Sequence, residues 1–308
     1  MTTVAAIDCG TNAIRLLVAD VVDERIVAER TRVMRIVRLG EGVDRTGEFS
    51  DEALQRTFAA VDEYAVILRD LHVQQLRFVA TSASRDVSNR AAFEAGIRAR
   101  LGIDPEVITG TEEAALSFAG AVVGLPRGIA ELPALVVDIG GGSTEFVLGS
   151  DTPVAVASVD IGCVRMTERH LHSDPPTADE LSAARSDIDN AVRQALAAVD
   201  PSSARSLVGL AGTVTTVSAM VLDLPEYDAT ILHGSTIARA EVAAAVDRLA
   251  GMTRAERAAL PFMHPGRVDV IAGGALILLA IMDQAGFATV VVSETDILDG
   301  IVCSLGRR

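Results

Sequence analysis

Residues 135–149 read LVVDIGGGSTEFVLG: a hydrophobic run, a polar and glycine-rich turn, and a second hydrophobic run. A tight turn between two strands needs only one Asn-Gly or Asp-Gly pair. Committing Asp138, Gly140, Gly141, Gly142, Ser143, Thr144 and Glu145 to one turn points to a second duty. Consecutive glycine N–H groups cup a phosphate well, because no side chain blocks its approach. The stretch has a counterpart near the N-terminus. Residues 5–20, AAIDCGTNAIRLLVAD, repeat the order strand, Asp-x-Gly turn, strand. The same hairpin at the start of two halves predicts two similar α/β domains with a cleft between them.

The segments between the hairpins alternate strands with helices. Ser50 caps an amphipathic run to about Leu71, with Asp51 and Glu52 in its first turn. LRFVATSASRD reads as a strand and a polar loop, and Ala91–Leu101 as a short helix. Thr109 and Glu112 form a capping box that opens a helix to about Val123. GLPRGIAELPA, with its prolines, reads as a linker, so the domains are expected at 1–128 and 129–295, with a C-terminal helix at 296–308 completing the first. Thr177 and Glu180 form a second box, starting a helix to about Val199. SLVGLAGTVTTVSAM is a strand that breaks at Gly212 into a helix, and Val268–Met282 is a further helix.

Composition narrows the chemistry. Charge of −15 argues against a nucleic-acid partner. The longest apolar run, Val270–Met282, is too short for a bilayer, so no membrane partner is expected. No basic leader precedes the first strand, and Cys9, Cys163 and Cys303 match neither a disulfide framework nor a zinc spacing; a reducing, cytoplasmic setting is expected. All 27 basic residues are arginine. The absence of lysine excludes a Walker-type phosphate loop and Schiff-base catalysis. A bound phosphate must rely on backbone amides, arginine forks or a metal ion. A carboxylate beside a phosphate is repulsive, so Asp8 and Asp138 make sense with a divalent cation between; Mg²⁺, an oxygen-seeking ion that keeps several waters, suits.

DCGTNAIRLLV, RIVRLGEGVD, ATSASRD, ITGTEEA, VVDIGGGSTEFVLG, IGCVRMTE, LAGTVTT and GRVDVIAGGALIL, in this order, resemble the exopolyphosphatase/guanosine pentaphosphatase family of the actin, hexokinase and heat-shock chaperone ATPase superfamily. The resemblance covers nearly the whole chain in the family's short, two-domain form. It implies two actin-like (ribonuclease H-like) α/β domains with mixed sheets flanking a central cleft. It also implies Mg²⁺-dependent hydrolysis of a terminal phosphoanhydride, on inorganic polyphosphate or pppGpp, by a homodimer. One departure is Cys9-Gly-Thr-Asn-Ala, where the family usually has Ile or Leu and then Gly-Ser-Asn-Ser; Ala13 supplies no hydroxyl.

Phosphoryl transfer asks mainly for positioning, charge neutralisation and an oriented nucleophile. Glu112 already belongs to a capping box, so helix position favours Glu113 as general base, as does the family's pattern. Asp138 and Glu145 are expected to hold the metal with Glu113. The phosphate cradle is expected from Asp8, Gly10, Thr11, Asn12, Gly140, Gly141, Gly142, Ser143, Thr144, Gly212 and Thr213. Arg15 and Arg85 suit bidentate phosphate contact. Arg30, Arg32, Arg35 and Arg38 read either as a solvated edge strand or as a landing track for a polyanion, with Arg267 in the second domain's wall. Cys9, beside glycine amides, is a candidate reactive thiolate. Two rival readings remain: a non-catalytic nucleotide or polyphosphate sensor on the same fold, and a sugar kinase. The base-and-carboxylate set argues against the first, and the lack of a sugar-binding motif against the second.

Overall fold

The computed structural model describes residues 1–85, 87–126 and 128–306. The chain divides into two compact units, Met1–Gly120 with Ile297–Arg308, and Ala121–Asp296. Unit 1 runs β1 (Thr2–Cys9), β2 (Ala13–Val22), β3 (Arg25–Ile36), α1 (Val43–Thr46), α2 (Asp51–Asp70), β4 (Gln75–Ala80), α3 (Arg90–Leu101), β5 (Glu106–Val107) and α4 (Gly110–Gly124). The division falls inside α4, upstream of the proline-bearing stretch expected to be the linker. Unit 2 holds β6 (Ala134–Ile139), β7 (Thr144–Gly149), β8 (Pro153–Val159), α5 (Cys163–His170), α6 (Ala178–Val199), β9 (Ser206–Leu210), α7 (Ala211–Val221) and α8 (Ala229–Leu232). It continues with β10 (Thr236–Ala238), α9 (Arg239–Gly251), α10 (Arg254–Ala258), α11 (Ile271–Ala285) and β11 (Thr289–Val292). The last helix, α12 (Ile297–Leu305), returns to unit 1.

Both sheets are mixed and share one plan. Unit 1 has the order β3-β2-β1-β4-β5, with an antiparallel meander of its first three strands and parallel β4 and β5. Unit 2 repeats it as β8-β7-β6-β9-β11 and adds antiparallel β10 at one edge. Side chains alternate faces along a strand. In β1, Ala5, Ile7 and Cys9 enter the core built with α2 and α3, while Val4 and Ala6 enter the one built with α12. A strand buried on both faces reads as a continuous apolar run, as β1 does.

Local signals set the helix starts. Ser50 Oγ accepts from Ala53 N at 3.1 Å to open α2, and Thr177 with Glu180 closes a reciprocal capping box on α6. The expected start of α11 at Val268 slips to Ile271, because Pro265–Arg267 forms a separate 3₁₀ turn capped by His264. Helix α5 was not expected from the sequence; it begins at Cys163 with Gly162 as its N-cap. Among the described residues no helix is long and apolar enough to cross a membrane.

Candidate active site

The glycine loop of unit 2 is held from behind. Gly140 O accepts from Cys163 N at 2.9 Å, and Gly141 O accepts from Val164 N and Arg165 N at 2.9 and 3.1 Å. Gly142 O accepts from Arg165 Nε at 2.8 Å. In a trans peptide the N–H points opposite to the C=O. The N–H groups of Gly141, Gly142 and Ser143 therefore turn away from α5, which is the arrangement an anion requires. The close approach depends on Gly162: a Cβ there would run into the backbone of Gly141 and Gly142.

Unit 1 repeats the device. Gly10 N donates to Ala13 O at 3.0 Å, as Gly140 N donates to Ser143 O at 3.0 Å. Thr11 O accepts from Gly40 N, and Asn12 O from Val37 N and Arg38 N, at 2.9–3.1 Å. The segment 37–40 thus braces the first loop as α5 braces the second. Thr11 is buried, and no hydrogen-bond partner of its Oγ1 lies among the described residues. Thr144, expected in the phosphate cradle, instead donates its hydroxyl to Ile161 O at 2.6 Å in a fully buried position, so its side chain is a structural tie.

The two hairpins differ in what faces the aspartate. Asp8 lies directly opposite Arg15, which donates to Asp8 Oδ2 from Nε at 3.0 Å and from Nη2 at 2.6 Å. Asp138 lies directly opposite Glu145, with 9% and 1% exposure. Opposite residues share a face of the sheet. The neighbouring strand adds Ser158, whose Oγ donates to Glu145 Oε1 at 2.8 Å. Unit 1 therefore pairs its aspartate with an arginine of the same hairpin. Unit 2 places two carboxylates side by side in a buried setting, an arrangement that favours a cation.

Glu113 is 9% exposed and pairs with Arg85 Nη2, while Arg85 Nε donates to Ile108 O at 3.1 Å. Glu112 N is capped by Thr109 Oγ1 at 3.2 Å, but the Glu112 carboxylate takes Arg77 at 2.7 Å instead of completing the expected box. Among the described residues no group of three His, Cys, Asp or Glu side chains is gathered for a metal. Glu113 stands against a guanidinium, whereas Asp138 and Glu145 face each other. Two buried carboxylates fit Mg²⁺, which retains several waters.

The expected arginine track is not one surface. Arg30 pairs with Asp20 at 2.5 Å, Arg32 with Asp299 at 2.7 Å, and Arg35 with Glu63 of α2 at 2.9 Å. Two irregularities in the β2–β3 register break the alternation around Arg30. Arg38 sits past the strand with φ 49°, its amide bound to the first loop. The guanidinia of Arg30, Arg32 and Arg35 answer carboxylates of the fold on different faces. Arg32→Met removes one charged partner of buried Asp299 and should cost about 1–2 kcal/mol, a fall in Tm of a few degrees. Differential scanning fluorimetry reads it; an unchanged Tm with a raised KM for long polyanions only would restore the track.

At the β9–α7 junction, Ala211 takes φ 66° and α7 starts without a side-chain cap. A Cβ on Gly212 would strike the Arg267 guanidinium, so the expected anion position at Gly212 is covered by that side chain. Arg267 donates to Thr216 Oγ1 at 2.9 Å and lies 5.9 Å from the Tyr227 ring centre. Thr213 is buried against Cys163 and Gly274. Burial pushes the Cys163 thiol up to about 11, and burial followed by the Asp8 charge pushes Cys9 well above its usual range. Cys9 is the next inward residue after Ile7, a core side chain and not a thiolate. Iodoacetamide at pH 8 should leave Cys9 unmodified in the folded protein, read by peptide mass; a rapid adduct with loss of activity would reverse this.

Ser158, Arg165 and the 37–40 segment were not singled out from the sequence as parts of the two hairpins' surroundings. Ser158 follows from register once β8 is paired with β7, whereas Arg165 needed α5, whose start has no capping side chain.

Within each unit a braced glycine loop suits phosphate oxygens, and in unit 2 a buried carboxylate pair stands beside it. The chain belongs to the Ppx/GppA phosphatase family, matched over residues 17–307, and is a phosphoanhydride hydrolase with a mixed-sheet α/β fold. An exopolyphosphatase 2 from Mycobacterium tuberculosis is 52% identical over 317 residues, covering 99% of this chain and 99% of that protein. A guanosine-5'-triphosphate,3'-diphosphate pyrophosphatase from Photobacterium profundum is 32% identical over 71% of this chain and 43% of its own length. A crystal structure described as an exopolyphosphatase-like protein is 44% identical, with TM-score 0.95, over 100% of this chain and 99% of that one.

Proposed function

We propose that the protein is an exopolyphosphatase that removes the terminal phosphate of inorganic polyphosphate with Mg²⁺, Glu113 acting as the base that takes the proton of the attacking water. The carrying observation is the contrast between the hairpins: Asp8 faces Arg15, whereas Asp138 faces Glu145. The ion, when bound, neutralises charge on the phosphate oxygens. The amides of Gly141, Gly142 and Ser143 hold phosphate oxygens, and those of Asn12 and Ala13 serve the same purpose in unit 1. Arg85 orients the Glu113 carboxylate through Nη2; Nη1, the remaining end of its fork, is suited to an incoming anion.

Polyphosphate is preferred over pppGpp because the full-length similarity is to an exopolyphosphatase, while the similarity to a pentaphosphate pyrophosphatase covers less of the chain. Phosphate release is measured in parallel from polyphosphate of defined length, pppGpp and ATP, with Mg²⁺ and with EDTA. Release from polyphosphate alone or fastest supports the reading, and a clear preference for pppGpp replaces its substrate. No turnover of any of them sinks it in favour of a binding protein.

A further inference from the structure

Behind the two loops the braces are built differently. Thr11 and Asn12 carbonyls are held by backbone amides of residues 37, 38 and 40. Gly140 and Gly141 carbonyls are held by backbone amides of α5, but the Gly142 carbonyl accepts from a side chain, Arg165 Nε, at 2.8 Å. Backbone donors survive almost any substitution; this side-chain donor does not.

The Gly142 C=O and the Ser143 N–H belong to one planar peptide and point opposite ways. Rotation of that peptide turns Gly142 ψ and Ser143 φ; Gly142, without a Cβ, does not resist it on its side. Turned over, it would present a carbonyl oxygen to the phosphate side. The cradle would lose a donor and gain a repelling dipole. The Arg165 guanidinium is planar and its side chain is 19% exposed, so the Nε contact to the Gly142 carbonyl is largely shielded from water.

We propose that Arg165 is a positioning residue: by holding the Gly142 carbonyl it fixes the direction of the Ser143 amide and so the number of N–H groups the loop offers a phosphate. The inference rests on the phosphate-cradling reading given above. Arg165 acts through the loop, so it affects substrate and transition state alike. Its loss belongs in KM, whereas loss of the base belongs in kcat.

Inorganic tripolyphosphate is titrated calorimetrically into the wild type, Arg165→Met and Arg165→Lys, and kcat and KM are measured on the same samples. Arg165→Met should weaken binding and raise KM by roughly 10- to 100-fold, the worth of one charge-assisted hydrogen bond, with kcat within a few-fold. Arg165→Lys, whose ammonium donates to the same carbonyl, should recover most of the affinity. Where Arg165→Met does not give a cooperative melt, Arg165→Gln, polar but too short to reach Gly142, carries the test. A folded Met or Gln variant that binds tripolyphosphate like the wild type overturns the inference and leaves the functional reading intact. A wild type that neither binds nor hydrolyses tripolyphosphate overturns the functional reading and the inference together.

Discussion

Glu113→Gln should lower kcat by roughly 10²–10⁴-fold, the usual contribution of a positioned general base. Glutamine keeps the length and hydrogen-bonding ability of the side chain but cannot take a proton from water. KM should move little, since ground-state contacts to phosphate are spared. The structure adds a cost that helix position alone did not reveal. Glu113 is 9% exposed and paired with Arg85, so the neutral variant leaves the guanidinium without its anion. Arg85 keeps one-fifth of its side-chain surface in water, and its Nε bond to Ile108 O is independent of Glu113. The penalty is therefore about 1–2 kcal/mol, below that of a fully buried pair. Glu112→Gln is the control. Its carboxylate is half exposed and pairs with Arg77, a contact of small net worth, so activity should stay within a few-fold and Tm should barely change. Steady-state kinetics and thermal melts on both variants decide it: turnover lost in Glu112→Gln and kept in Glu113→Gln would reverse the assignment.

The hairpins were readable because their signal is local. Glycine, aspartate and alternating apolar residues fix a strand-turn-strand within about fifteen residues, and the repeat raises the odds that both are real. That Asp138 and Glu145 stand opposite each other follows for the same reason: a turn of known length fixes which residues pair. The same logic applied to the first hairpin pairs Asp8 with Arg15, a contact that distance along the chain from a motif does not reveal. Charge pairing is a property of register and packing, as the Arg32–Asp299 contact across 267 residues makes plain. Cys9 was misread for a related reason. Proximity to glycine amides suggested a thiolate, but strand parity sends its side chain into the α2–α3 core beside Ile7. Helix α5 was missed because its N-cap is Gly162, with no capping side chain to announce it, and its first amides find their acceptors in the glycine loop.

Asp138→Asn should raise the Mg²⁺ concentration for half-maximal activity by about 30-fold or more. A unit negative charge and a divalent ion 4 Å apart interact by about 2 kcal/mol even at the dielectric constant of water, and by more in a buried site. About 1.4 kcal/mol corresponds to a tenfold change in affinity. Asp138 and Glu145 are 9% and 1% exposed on one face of the sheet, so water compensates little for a lost carboxylate. Asparagine preserves shape and still offers a carbonyl oxygen, which confines the change to charge. Glu145→Gln should shift the requirement in the same direction, and Ser158→Ala, which removes only the donor to Glu145 Oε1, should shift it less. Asp8 provides the contrast: its partner is already a cation, so Asp8→Asn should alter rate or stability without moving the Mg²⁺ requirement. Isothermal titration with Mg²⁺ separates metal affinity from turnover. Equal Mg²⁺ affinity in Asp138→Asn and wild type would place the cation elsewhere, and a larger loss in Asp8→Asn than in Asp138→Asn would assign it to the first hairpin.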